Sequence, residues 1–407
     1  MSQTNLSSEL PLKRGRPLKN RLAKSAMSEQ LGDRNHNPDH RLARLYRAWA
    51  DGGLGLSMTG NVMINRNALG EPKNVVLDEH SDLDAFRQWA REGQANGSQL
   101  WMQLNHPGKQ IPRFLNPEPV APSAIPLGRG LDKLFATPRE LGSDEIQGIV
   151  DEFAFAAEKA RETGFAGVQI HGAHGYLVSQ FLSPRHNQRT DEWGGSPENR
   201  RRFVLAVYDA IRSAVGDDYP IGIKLNSADF MKDGFSEEES MDVVRALSEA
   251  GIDLIEISGG TYEAPAMTGF QAKRNEREAY FLDYADAVRR HTEVPLMVTG
   301  GFRSAEAMQG ALDSGATDLV GLARPVAIDP ALPRTLLRDP QAVSDIKRPS
   351  TGFKALDRML MLDITYYETQ LARHARGKKP KPTLSPWYTV ASTFRAMGAN
   401  AFKPRRA

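Results

Sequence analysis

LMVTGGFRSAEAMQGALDSGATDLVGLARP, residues Leu296–Pro325, is the stretch whose reading decides the fold. It opens on a short apolar run, Leu296–Thr299, turns through Gly300 and Gly301, and passes into helical spacing over Ser304–Ser314. A second apolar run, Leu319–Gly321, follows and leads into Ala323 and Arg324. Strand, helix and strand in so short a span predict parallel strands joined by a right-handed crossover. The same alternation extends in both directions. Further candidate strands are Arg21–Lys24, Leu54–Thr59, Gln99–Leu104, Gly167–Ile170, Ile221–Leu225 and Leu254–Ile257. Helical patterns cover Ser143–Thr163, opened by Ser143 and closed by Gly164, then Glu198–Val215 and Ser236–Ala250, where Ser236 and Glu239 resemble a capping box. Eight strands separated by helices predict a closed (β/α)8 TIM barrel, an α/β fold that leaves no edge strand exposed. The competing arrangement is an open doubly wound sheet. It normally carries G-x-G-x-x-G after its first strand, and neither that motif nor G-x-x-x-x-G-K-[ST] occurs in the chain.

The barrel is expected to occupy residues 1–345, preceded by a hairpin around Gly15, with a helical extension over 346–407. The cluster Lys13, Arg14 and Arg16 suits that hairpin better than a nucleic-acid signal. The extension reads as a helix over Ala355–Ala375, a basic connector over Gly377–Pro382, and a tail bearing Trp387, Tyr388 and Phe394. It has two readings, a helix packed on the barrel and a contact between copies of a homo-oligomer. Pro107–Arg139 is rich in Pro and Gly, and a loop of that length in a compact domain is usually functional. The 407 residues are 40% apolar and 25% charged with a formal net charge of +2, so composition gives no reason to expect a nucleic-acid partner or an acidic substrate. The chain has no cysteine, which excludes disulfides, cysteine-held Fe–S clusters and a thiol nucleophile within it. Met1–Leu10 lacks the layout of a signal peptide, and no run of about 18 apolar residues occurs, so the expectation is a cytoplasmic protein away from membranes.

In a (β/α)8 barrel the chemistry sits where strands end. VQIHGAHGY, Val168–Tyr176, places His171, His174 and Tyr176 there: two imidazoles and a phenol that can hydrogen-bond a carbonyl oxygen and deliver a proton. A purely structural role for the histidines stays open, and a metal site lacks an obvious third ligand. Gly300 and Gly301 let backbone N–H groups approach a phosphate. Together with Arg324 they fall after strands seven and eight, where barrels commonly bind one. Gly60, Gln103 and Lys224 end other strands. A lysine buried in a barrel mouth needs an anionic partner.

His171–Arg200, HGAHGYLVSQFLSPRHNQRTDEWGGSPENR, resembles the signature of the old yellow enzyme family of NAD(P)H:flavin oxidoreductases. Leu18–Ser28, Gln103–Lys109, Thr137–Leu141, Leu296–Arg303 and Leu319–Pro325 agree in order, so the resemblance spans roughly Pro11 to Arg376. It implies FMN bound without a covalent bond. Ser25, Ala26, Met27 and Ser28 would line the flavin. Gly60 and Gln103 would contact its ring, and Lys224 would stand beside its pyrimidine side. Gly300, Gly301, Ala323 and Arg324 would hold its phosphate. Ser28 stands where the family has Thr or Cys, and its hydroxyl is expected to donate to the flavin. Lys224 replaces a common Arg, and Ala323 replaces a common Gly. The implied activity is reduction of FMN by NADH or NADPH, then hydride transfer to the β-carbon of an enone-like substrate. His171 and His174 would polarise the carbonyl, and Tyr176 would protonate the α-carbon. Three alternatives remain: a flavin dehydrogenase acting on an amine or alicyclic ketone, a non-catalytic flavin redox sensor, and a flavin-free barrel for a phosphorylated ligand. The chain is not expected to be one of the family members with a large C-terminal dinucleotide domain and an Fe–S cluster, because that cluster needs cysteines.

Overall fold

The computed structural model describes residues 4–264 and 281–397. Eight parallel strands close on themselves. They are β1 (Leu22–Lys24), β2 (Leu56–Met58), β3 (Gln99–Asn105), β4 (Gly167–Gly172), β5 (Ile221–Asn226), β6 (Leu254–Ser258), β7 (Leu296–Thr299) and β8 (Leu319–Leu322). Each pairs with the next, and β8 returns to β1. Every strand expected from the sequence is present, with its ends displaced by at most two residues.

Alternation along the strands sorts two cores. Outward residues such as Leu100, Val168, Ile170, Ile223, Ile255 and Val320 pack against Phe86, Trp89, Phe153, Phe203 and Leu247 of the surrounding helices. Inward residues Ala23, Leu56, Met58, Trp101, Leu254, Met297 and Leu319 meet Leu10 and Leu18 in a separate cluster that fills the N-terminal half of the barrel. Trp101 is the large member, and its neighbours make room for it. A Cβ on Gly167 would lie 2.7 Å from its ring, and one on Gly222 3.2 Å from it. The expected N-terminal hairpin supplies the plug. Leu10 and Leu18 exchange backbone hydrogen bonds of 2.9 Å, and Gly15 turns at φ 73°. Arg14 binds Asp253 at 2.9 Å, so this basic residue is tied to the barrel.

Helices over Ser143–Glu162, Pro197–Val215, Glu237–Ala250 and Ala305–Asp313 match the sequence patterns. The Ser236–Glu239 capping box forms, with bonds of 3.0 and 3.2 Å. Ser143 does not cap. It is the first helical residue, and the preceding Gly142 donates its N–H to Glu145 at 2.8 Å. His40–Asp51 and Leu83–Gly93 provide the crossovers after β1 and β2.

The single helix expected over Ala355–Ala375 is two, Lys354–Met359 and Leu362–Ala375, broken where Met361 adopts φ 45°. The expected tail forms a third, Pro386–Met397. Leu362–Ala375 lies on the barrel: Arg44 donates to the Ala375 carbonyl at 3.1 Å, and Gln30 to Glu368 at 3.0 Å. Pro107–Arg139 is folded rather than irregular. Val120–Ala121 pairs with Arg139–Glu140, and Leu127, Leu131 and Phe135 form a small core with Tyr262. Among the described residues no helix is long and apolar enough to cross a membrane.

Candidate active site

Above the apolar plug the same inward positions turn polar, one pleat further along each strand. Gln103, Gln169, Lys224, Glu256 and Thr299, with Ser25 just after β1, form a connected ring. Lys224 Nζ lies 3.0 Å from Glu256 Oε1, with the Lys224 side chain 4% exposed and that of Glu256 0%. Thr299 donates to Glu256 at 2.8 Å, as does the Gln169 amide, which in turn accepts from Gln103 at 2.8 Å. Ser25 and Thr299 share a hydrogen bond of 2.7 Å. The anionic partner that a buried Lys224 requires is therefore Glu256.

The next pleat carries the candidate chemistry. His171 on β4 stands beside Lys224 on β5 in register. The Ala173 N–H donates to His171 Nδ1 at 3.3 Å, so the ring proton belongs on Nε2, which is left as a donor. His174 has φ 61°, an uncommon conformation for a residue with a side chain. Its neighbours hold it there: its N–H donates to Asn226 at 3.2 Å, and its carbonyl accepts from Gln110 at 3.0 Å. Its Nε2 lies 2.8 Å from Ser258 Oγ. The His171 ring meets those of His174 and Tyr176 edge-on, with centroids 5.2 and 4.8 Å apart. Tyr176 shares a hydrogen bond of 2.7 Å with Tyr262. Burial, and then the Lys224 charge, press both histidines well below the ordinary range. At pH 7 they are neutral hydrogen-bond donors rather than acids. The sequence-expected trio is thus one contiguous cluster.

Ala26, Met27, Ser28, Gly300, Gly301, Ala323 and Arg324 are half-buried at the C-terminal ends of β1, β7 and β8. Gly300 and Gly301 have φ 115° and 91°, a consecutive pair that L side chains resist. Among the described residues no carboxylate pairs with Arg324. Ala323 has φ −123°, outside the left-handed region, so the exchange for a common Gly brings no left-handed strain. Gly60 admits no side chain, because a Cβ would meet Glu29 Oε2 at 2.0 Å and the Met27 carbonyl at 2.4 Å. An amide and a buried ammonium toward one side, and a guanidinium with a glycine pair toward another, suit a flat ring bearing a phosphate tail. This donor set fits FMN. One expectation changes. The Ser28 hydroxyl donates to Glu71, so its proton is already committed and what it offers a ligand is an acceptor.

Sequence reading missed Glu256, Gln169, Thr299, Ser258, Asn226 and Tyr262. Glu256 had a local signal, a lone charge inside the apolar run LIEIS. The others earn their place only through neighbours on other strands.

The family model described as NADH:flavin oxidoreductase / NADH oxidase matches residues 10–340. The NADH-dependent flavin oxidoreductase iliE of Neonectria sp. (strain DH2) is 40% identical over 368 residues, covering 84% of this chain and 48% of that one. The NADH-dependent flavin oxidoreductase iccE of Talaromyces variabilis is 38% identical over 365 residues, covering 84% and 88%. The chain therefore spans about half the length of the first relative and most of the second. The old yellow enzyme homologue from Zymomonas mobilis superposes with a TM-score of 0.72 at 25% identity, over 84% of this chain and 95% of that one.

Proposed function

Because the chain belongs to the NADH:flavin oxidoreductase / NADH oxidase family, the old yellow enzyme group of oxidoreductases that work with FMN and NAD(P)H, we propose that it reduces small alkenes conjugated to a carbonyl. The observation that carries this reading is the cluster of two neutral imidazoles and a phenol at the end of β4. A sensor or a phosphate-binding barrel has no need of a positioned proton donor beside two neutral donors.

FMN, when bound, would supply the hydride-transfer chemistry. Ser25–Ser28, Gly60, Gln103 and Lys224 would hold its ring, and Gly300, Gly301, Ala323 and Arg324 its phosphate. His171 Nε2–H donates to the substrate carbonyl oxygen. His174 would be a second donor to the same oxygen through Nδ1 in the tautomer in which Ser258 donates to its Nε2, 2.8 Å away. Two donors on one oxygen draw charge from the β-carbon, as an oxyanion hole does. Tyr176 holds the proton destined for the α-carbon, and Tyr262 is hydrogen-bonded to its oxygen.

The test is the visible spectrum of the purified protein under anaerobic conditions. The expected result is flavin bands that bleach with NADH or NADPH and recover on adding an enone. Bleaching without recovery by any enone would favour a dehydrogenase acting on an amine or alicyclic ketone, or a redox sensor. A protein that stays colourless after incubation with FMN would overturn the flavin assignment.

A further inference from the structure

The polar ring under the mouth contains more than a flavin site requires. A cation beside the flavin pyrimidine would favour the negatively charged reduced ring, and Lys224 alone would provide it. The structure instead pairs Lys224 with Glu256 at 3.0 Å, both buried. The carboxylate is held from two further directions. Gln169 and Thr299 each donate to it at 2.8 Å, and Gln103 and Ser25 hold those two in turn. The ring therefore draws side chains from β3, β4, β5, β6 and β7 and from the residue after β1. A carboxylate fixed so firmly is not a mobile counterion that swings away when the ligand arrives.

We propose that Glu256 is a positioning residue that acts through Lys224: it neutralises the charge under the flavin and so makes the reduced cofactor a stronger reductant than an unpaired lysine would. This rests on the FMN reading above. Excess positive charge stabilises reduced flavin and eases its reduction by NADH, while weakening its drive to pass hydride on. A neutral ion pair shifts the balance toward acceptors that are harder to reduce. Glu256 thus tunes which electron-poor alkenes the site can serve, without touching them.

The experiment measures the two-electron midpoint potential of bound FMN, together with FMN dissociation constants for oxidised and reduced protein. Glu256→Gln keeps the shape and removes the charge. Its preference for reduced over oxidised FMN is expected to rise at least tenfold, which is about 30 mV more positive for a two-electron couple. Thr299→Val removes a hydrogen bond while keeping the charge, and is expected to move that preference less than threefold. If E256Q does not accumulate as folded protein, K224M is compared with K224M/E256Q. The single variant, with its unbalanced carboxylate, is expected to lie at least tenfold lower in that preference. A flavin-loaded E256Q with the parent potential, a T299V shift as large as that of E256Q, or equal potentials in K224M and the double variant would each overturn the inference. A protein that takes up no FMN would overturn the functional reading instead, so the two failures are distinguishable.

Discussion

His171 and His174 sit where protonation is costly, and their neutrality defines what they can do. Neither can act as an acid at pH 7, so the proton for carbon is left to Tyr176. Tyr176→Phe is expected to slow the oxidative half-reaction by about a hundredfold or more, with flavin bleaching by NADH unchanged in rate. Stopped-flow absorbance separates the two, and equal slowing of both would remove Tyr176 from the proton-transfer role. His106 shows the same physics in stability. Burial holds it down to about 4. The unfolded chain binds a proton there below about 6.5 and the folded chain does not. Stability is therefore expected to fall as pH drops from 6.5 toward 4, by about 3 kcal/mol from this residue. Denaturant melts of the parent and His106→Gln across that range check this, and parallel pH dependences would contradict it. Ser28 donates to Glu71, which is itself buried. Ser28→Ala is expected to cost about 1 kcal/mol in those melts.

The strands were legible from sequence because apolar runs bounded by glycine and polar residues mark them, whichever neighbours they acquire. The trio on β4 was legible because it lies within one short loop. The polar ring was not, since Glu256, Thr299 and Gln169 become partners only through the shear of a closed barrel, which no local pattern encodes. Nor was the break in the C-terminal helix. Met359, Leu360 and Leu362 continue the apolar spacing across it, yet Met361 takes φ 45°. Left-handed backbone costs about 1 kcal/mol or more in a residue with a side chain. Met361→Gly is therefore expected to raise stability by about 0.5–1 kcal/mol, read as the denaturation midpoint. At the barrel wall the opposite holds. A Cβ on Gly321 would lie 2.1 Å from Thr299 Oγ1 and 2.6 Å from Ser25 Oγ. Gly321→Ala is expected to cost about 1–3 kcal/mol and to weaken FMN binding measured by fluorescence.

In the molecule as a whole, one end of the barrel carries stability and the other carries chemistry. The apolar half, filled by Trp101 and the hairpin leucines, contains no candidate catalytic group. All the candidate catalytic residues stand above the polar ring. The folded loop Pro107–Arg139 meets the site through Tyr262, which packs with Phe135 and hydrogen-bonds Tyr176. The Leu362–Ala375 helix reaches the segment following Ser28, the last of the proposed flavin-lining residues, through Gln30 and Glu368. Both peripheral segments thus adjoin the mouth.

The hairpin at the base has a kinetic corollary. With Leu10 and Leu18 stoppering one end, the shaft is blind, and whatever enters must leave by the same door. On the proposed function, donor and acceptor would then queue for one seat, and each would inhibit the other's entry. Parallel double-reciprocal plots at low concentrations, bending upward as the acceptor accumulates, would be the steady-state mark of a site that serves one visitor at a time.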